Sequence, residues 1–159
     1  MNNGLIDFSR VSDKTEKIKQ WDDYVESHPE GSIYHLTAWK SVISRQFGHN
    51  SSYLYSVDDN KKINAVLPVV QLKSRLFGNY MVSVPYFNYG GALADNPQLA
   101  TDLMSKAGDI AQNNNARHVE FRDTQTYEGN WGLREDKVVM LLDLPSESET
   151  LWKAIGTKV

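Results

Sequence analysis

The spacing of apolar positions changes several times along this chain of 159 residues, and each change predicts an element. Leu5-Ile6-Asp7-Phe8 alternates weakly and reads as a first strand. Ile18, Trp21 and Val25 then recur at helical spacing, behind a helix-start box of Asp13 and Glu16. His28-Pro29-Glu30-Gly31 ends that helix. Trp39, Val42, Ile43 and Phe47 mark a second one, capped by Thr37 and stopped by Gly48. Residues 52–57 and 63–72 predict an antiparallel hairpin around Asp58-Asp59-Asn60. Gly78-Asn79 turns into a strand over residues 80–84.

Asn96-Pro97 opens another helix, with proline at the tolerated first position, and Leu99, Leu103, Ala107 and Ile110 form its inner face. Asn113-Asn114-Asn115 ends it. Residues 117–122 and 137–144 are the last two predicted strands. The apolar run Val138-Val139-Met140-Leu141-Leu142 suits a strand buried on both faces. Ser146 and Glu149 form a capping box for a final helix around Leu151, Trp152 and Ile155. Trp21, Trp39 and Trp152 each fit an apolar helix face and are expected in the core. This order predicts an α/β (α+β) lobe with a mixed, mainly antiparallel sheet flanked by helices. No repeat or linker divides residues 1–159, so a single lobe is expected.

Charge narrows the function classes. The 17 Lys and Arg against 20 Asp and Glu include no basic run longer than Lys61-Lys62, which argues against a nucleic-acid grip by this lobe. The absence of cysteine removes disulfides, thiol catalysis and thiolate metal sites. His28, His35 and His49 are scattered without metal-ligand spacing, so no metal site is expected. No apolar run reaches the roughly 20 residues of a membrane-spanning helix. Met1-Asn2-Asn3-Gly4 lacks a signal-peptide pattern, and a cytoplasmic place is expected, at the inner membrane face if the substrate is lipid-linked.

The candidate chemistry centres on Ser83-Val84-Pro85-Tyr86-Phe87-Asn88-Tyr89-Gly90-Gly91. Proline gives up a ladder donor, and the glycine pair allows positive φ or a close approach. Tyr86, Phe87 and Tyr89 supply stacking faces beside Asn88. This reads as a shaped aromatic loop at a sheet end, the wall of a binding cleft, against the plainer reading of an aromatic connection packed on the core. Lys73 and Arg75 flank a strand end where they can clamp phosphate or carboxylate, or simply stand in solvent. His118, Glu120 and Arg122 share one strand face, where they can hold an anionic substrate or pair with one another. No residue is assigned a catalytic role. The CoA pyrophosphate turn, the P-loop, the G-x-S-x-G elbow and the dinucleotide fingerprint are all missing. Gly90-Gly91-Ala92 approaches the first in composition, but Asp95 and Asn96 crowd the helix start.

A set of short motifs runs in order along the chain. Trp21-Asp22-Asp23-Tyr24-Val25-Glu26-Ser27-His28-Pro29 is followed by Ile33-Tyr34-His35, Trp39 and Phe47-Gly48-His49. Leu67-Pro68, Leu76-Phe77-Gly78, Ser83-Val84-Pro85, Tyr89-Gly90-Gly91 and Val119-Glu120-Phe121-Arg122 complete it. In order and spacing this set resembles the N-terminal half of FemAB-like acyltransferases. The likeness is to the branch associated with bacterial exopolysaccharide and protein-sorting (PEP-CTERM) loci.

The resemblance implies a GNAT-like lobe, the N-terminal half of a two-lobed protein. It implies acceptor binding by the Tyr86–Gly91 loop and the basic strand end of Lys73 and Arg75, with Glu120 and Arg122 either joining that substrate site or serving the structure. The family reaction moves an aminoacyl or acyl group onto an amine of a cell-envelope precursor such as a peptidoglycan precursor. The donor is aminoacyl-tRNA, held through a C-terminal lobe, or acyl-CoA, with no resident cofactor. This half alone is expected to be inactive. Two other readings stay open: a non-catalytic saccharide- or peptide-binding module of the same shape, and a CoA-dependent N-acyltransferase.

Overall fold

The computed structural model describes residues 6–7, 14–136 and 140–156. The elements in chain order are β1 (Ile6–Asp7), α1 (Lys14–Ser27), a 3₁₀ turn (Ile33–His35), α2 (Ala38–Phe47), β2 (Asn50–Val57) and β3 (Ile63–Ser74). They continue with β4 (Gly78–Val82), β5 (Leu93–Ala94), α3 (Pro97–Asn113), β6 (Val119–Glu120) and α4 (Ser148–Ile155). The sheet runs β1-β2-β3-β4-β6, with β5 also paired to β3. Every pairing is antiparallel except β4 with β6, which the α3 crossover makes parallel. The mixed, mainly antiparallel sheet flanked by helices is therefore observed.

Strand alternation builds a core on each face of the sheet. Tyr53, Tyr55 and Val66 pack with Trp21 and Val25 of α1 on one side. Leu54, Ala65, Leu67 and Val69 pack with Leu103, Met104, Ala107 and Ala111 of α3 on the other. Asn96 caps α3 as expected, its side chain accepting from Leu99 N at 3.0 Å. Gly48 ends α2 in the left-handed region, with φ 67°. The β2–β3 turn is held by the Asp58 carboxylate, which accepts from Asn60 N and Lys62 N at 2.9 and 2.8 Å.

Several local expectations are corrected. Thr37 makes no side-chain cap bond to α2. Its N–H and hydroxyl donate instead to Asp22 at 2.9 and 2.8 Å, tying α2 to α1. The N-cap of α4 is Glu147 rather than Ser146, again without a side-chain cap bond. The strand expected over 80–84 shifts to Gly78–Val82, because the chain leaves the sheet at Ser83, and the one expected over 117–122 shortens to Val119–Glu120. Within the strand expected over 137–144, residues 140–144 form no strand, and Met140 and Leu141 are 90% and 83% exposed. A strand buried on both faces needs a covering layer on each side, and α4, which buries no residue, supplies none. Trp152 is likewise 66% exposed rather than in the core. Asp13, Leu5, Phe8 and residues 137–139 lie outside the described residues.

Candidate functional site

β4 and β5 occupy one track beside β3. Val82 pairs with Val70, and Leu93 pairs with Val66, both antiparallel. Between them, residues 83–92 are extruded opposite only residues 67–69 of β3. The aromatic-glycine loop therefore interrupts a strand instead of ending a sheet. Pro68, which has no N–H to offer, sits opposite that gap.

The loop leaves the sheet through a side-chain substitution for the ladder. Ser83 N donates to Glu120 O at 2.9 Å, and the buried Ser83 hydroxyl then accepts from Arg122 N at 2.8 Å. The next ladder bond is made only after the excursion, from Gly90 N to Arg122 O at 2.8 Å. Val84 and Tyr86 both take positive φ, 47° and 76°. Such conformations are costly for L residues, and most of all for a β-branched one, so the surrounding contacts must hold them.

Those contacts are aromatic. Phe87 sits 4.7 Å from Tyr34 and 4.6 Å from Trp39 between ring centroids, and Tyr89 meets Tyr34 edge-on at 5.2 Å. Tyr86 stacks on Phe47 at 4.4 Å and shares a 2.9 Å hydrogen bond with His49 Nε2. Arg122 clamps the loop from the sheet side. Its Nη1 donates to Phe87 O at 2.7 Å, and its Nε donates to Glu120 Oε1 at 2.9 Å.

Between loop and sheet lies an open cleft of about 490 Å³, lined by Phe87, Asn88, Tyr89, Glu120, Arg122 and Asp123 together with Arg134 and Asp136. A second cleft of about 420 Å³ flanks the same segment on the α3 side, with His118 and Trp131 in its wall. His118 itself stacks on Tyr80. Glu120 and Arg122 thus meet the loop over Phe87–Tyr89, whereas Tyr86 turns toward α2. Lys73 and Arg75 are not brought to this place. They lie at the Gly78 end of β4, roughly 16 Å along the strand from Ser83.

Asp123, which the sequence pattern did not single out, and His35, which it weighed only as a metal ligand and as part of a motif, hold the glycine end. Asp123 Oδ2 accepts from Ala92 N at 3.0 Å and Oδ1 from Gln125 N at 3.2 Å. Gly91 is flush against this carboxylate, since a Cβ there would fall 1.9 Å from Oδ2. Burial pushes the Asp123 carboxyl above its usual range, partly offset by these backbone N–H donors and by Tyr127. His35 is buried beneath the same loop, with Nδ1 2.9 Å from Ser32 Oγ and its carbonyl accepting from Trp21 Nε1 at 2.7 Å. Burial pushes its imidazole below the ordinary 6.5, against hydrogen bonds to the Gly91 and Ser32 backbones. The only sequence signal for Asp123 is its place directly after the alternating strip 118–122. Among the described residues no group of three or more His, Asp or Glu is placed to hold a metal ion, and no helix is long and apolar enough to cross a membrane.

Comparison with known proteins adds distant likenesses. The chain is similar to a GNAT family acetyltransferase of Staphylococcus aureus at 13% identity, covering 90% of this chain and 95% of that one, with a TM-score of 0.43. It is similar to the tetramutant of the BH1408 protein from Bacillus halodurans at 15% identity, covering 91% and 100%, with a TM-score of 0.47. Likeness at this level bears on neither activity nor substrate. No protein-family model and no curated protein matches the chain.

Proposed function

We propose that this chain is a GNAT-like, acceptor-binding lobe of a FemAB-like transferase, which moves an aminoacyl or acyl group onto an amine of a cell-envelope precursor. The supporting observation is the strand interruption at residues 83–92, which opens a cleft between an aromatic loop and the Glu120–Arg122 pair. That cleft carries two guanidinium groups, Arg122 and Arg134, and three carboxylates, Glu120, Asp123 and Asp136. Mixed charge beside aromatic rings suits a peptide-like acceptor bearing both an amine and a carboxylate, better than a polyanion. The α3 N-terminus is closed by Asn96, starts with Pro97, and is flanked by Asp95, which accepts from the Tyr24 hydroxyl at 2.9 Å. This favours an aminoacyl donor, held by a second lobe, over acyl-CoA seated on that helix. The lobe works in the cytoplasm, at the inner membrane face.

The test is an NMR-monitored titration of the 159-residue chain with a muramyl pentapeptide precursor. Shifts at residues 87–89 and 120–123, weakened about tenfold by Arg122→Gln, are expected. Shifts elsewhere, or the same shifts produced by acetyl-CoA, would sink the reading. A second reading, a saccharide- or peptide-binding module without catalysis, is favoured by the half-exposed stacked rings of Phe47 and Tyr86. Loss of glycan binding in Tyr89→Ala, in a full-length protein with no transferase activity, would select it.

A further inference from the structure

We propose that the β3–β4 hairpin tip docks this protein on an anionic lipid surface, with Leu76 and Phe77 entering the interface and Lys73, Arg75 and Arg117 facing the head groups. The inference is independent of the acceptor reading, because the tip stands at the opposite end of β4 from the cleft.

The hairpin projects. β2 begins at Asn50, paired with Gln71, so β3 runs on through Ser74 without a neighbour on that side. Three unflanked residues amount to about 10 Å of overhang. On the other side the hydrogen-bonded contacts begin at Asn79, whose O accepts from Arg117 N at 2.9 Å and whose Nδ2 donates to Asn114 O and Asn115 O at 2.8 and 2.9 Å, before β6 begins opposite Met81. At the tip Leu76 is 82% and Phe77 74% exposed. The turn presents them in a set geometry: Ser74 Oγ accepts from Leu76 N at 3.2 Å and from Phe77 N at 3.4 Å, and Gly78 closes it at φ 89°. Those bonds satisfy backbone donors that would otherwise meet a drying interface unpaired.

Charge selects the occupant. Residues 71–80 and 110–119, which build this end of the sheet, contain Lys73, Arg75, Arg117 and His118 and not one Asp or Glu, in a chain of net charge −3. The Arg117 guanidinium lies 3.6 Å from where a Gly78 Cβ would stand, at the base of the hairpin. Among the described residues none of the three cations forms an ion pair. The acid just before these stretches, Asp109, is one turn back in α3 and already paired with Lys106 at 3.8 Å. Two projecting apolar side chains ringed by unpaired cations match the chemistry of an anionic bilayer, with hydrocarbon beneath phosphate.

The experiment is co-sedimentation of the 159-residue chain with phosphatidylglycerol-containing vesicles and with pure phosphatidylcholine vesicles, across a salt series. Binding to the anionic vesicles alone is expected, weakening with salt. Each of Lys73→Gln, Arg75→Gln and Arg117→Gln should weaken it about fivefold. Leu76→Ser with Phe77→Ser should weaken it at least about tenfold at unchanged thermal stability, since both side chains are exposed. A Trp152→Ser, Leu141→Ser variant should bind as the parent does, although it too removes exposed apolar groups. The proposal is overturned if the parent ignores anionic vesicles or binds both kinds equally. It is also overturned if binding follows Trp152 and Leu141. Self-association that the Leu76→Ser, Phe77→Ser pair abolishes, without vesicle binding, would assign the tip to a protein contact instead.

Discussion

At the residue scale, His35 shows how burial turns one side chain into a pH dependence. Its imidazole lies under the Gly90–Gly91 turn and is pushed below the ordinary 6.5 because desolvation disfavours the cation, with His28 adding repulsion. A base whose folded pKa is depressed stabilises the fold fully above its unfolded value and loses that contribution as pH falls toward the folded one. Unfolding midpoints should therefore drop as pH falls below about 6.5. In His35→Gln that part of the drop should disappear, which a paired thermal-unfolding series over pH reads directly. An equal acid slope in the variant would mean that His35 is not the group responsible. Asp123, raised above its usual 3.8 by burial, has the opposite sign: its contribution is full in acid and is lost as pH rises through its folded pKa. The Glu120–Arg122 pair was legible beforehand, since alternation puts the two residues on one face two positions apart. His35 and Asp123 were not, because their partners are remote: Gly91 is 56 positions from one and 32 from the other.

At the element scale the decisive feature is an interrupted strand. The sequence pattern predicts β4 but no strand at β5, yet β3 aligns the two on one track and forces ten residues outward. Proline and the glycine pair announced an irregular loop, but not that the chain would rejoin the same strand position. Rejoining depends on Ser83 and Asp123, whose side chains take over ladder bonds from the backbone. Gly91 is the point where this arrangement tolerates least. In Gly91→Ala the new Cβ meets the Asp123 carboxylate, and the Ala92 N–H bond must break. A loss of about 1–3 kcal/mol is expected in urea unfolding. The loss should shrink in an Asp123→Ala background, where the clash is gone. An undiminished loss there would mean that Gly91 is needed for another reason.

At the scale of the whole molecule, the sheet is covered by α1 and α2 on one face and α3 on the other, and residues 140–156 stay outside that sandwich. Leu103 is fully buried and Leu141 is 83% exposed, although it is Leu141 that stands in the continuous apolar run. Leu103→Ala should cost about 2–5 kcal/mol and Leu141→Ala less than about 0.5 kcal/mol by denaturant unfolding. A large cost at Leu141 would restore the buried strand that its sequence suggested. Local pattern sufficed for the α3 face, the alternation of β2 and β3 and the α3 cap, because periodicity and capping are set by neighbours a few positions apart. The sequence by itself therefore determined α1, α2, α3 and the β2–β3 hairpin, but neither the irregular course of residues 140–144 nor the existence of β5. Only the tertiary structure decided that β4 and β5 share a track, that Asp123 and His35 hold the glycine turn, and that Lys73 and Arg75 stand away from the cleft. Those outcomes depend on pairings between residues tens of positions apart, which no local period encodes.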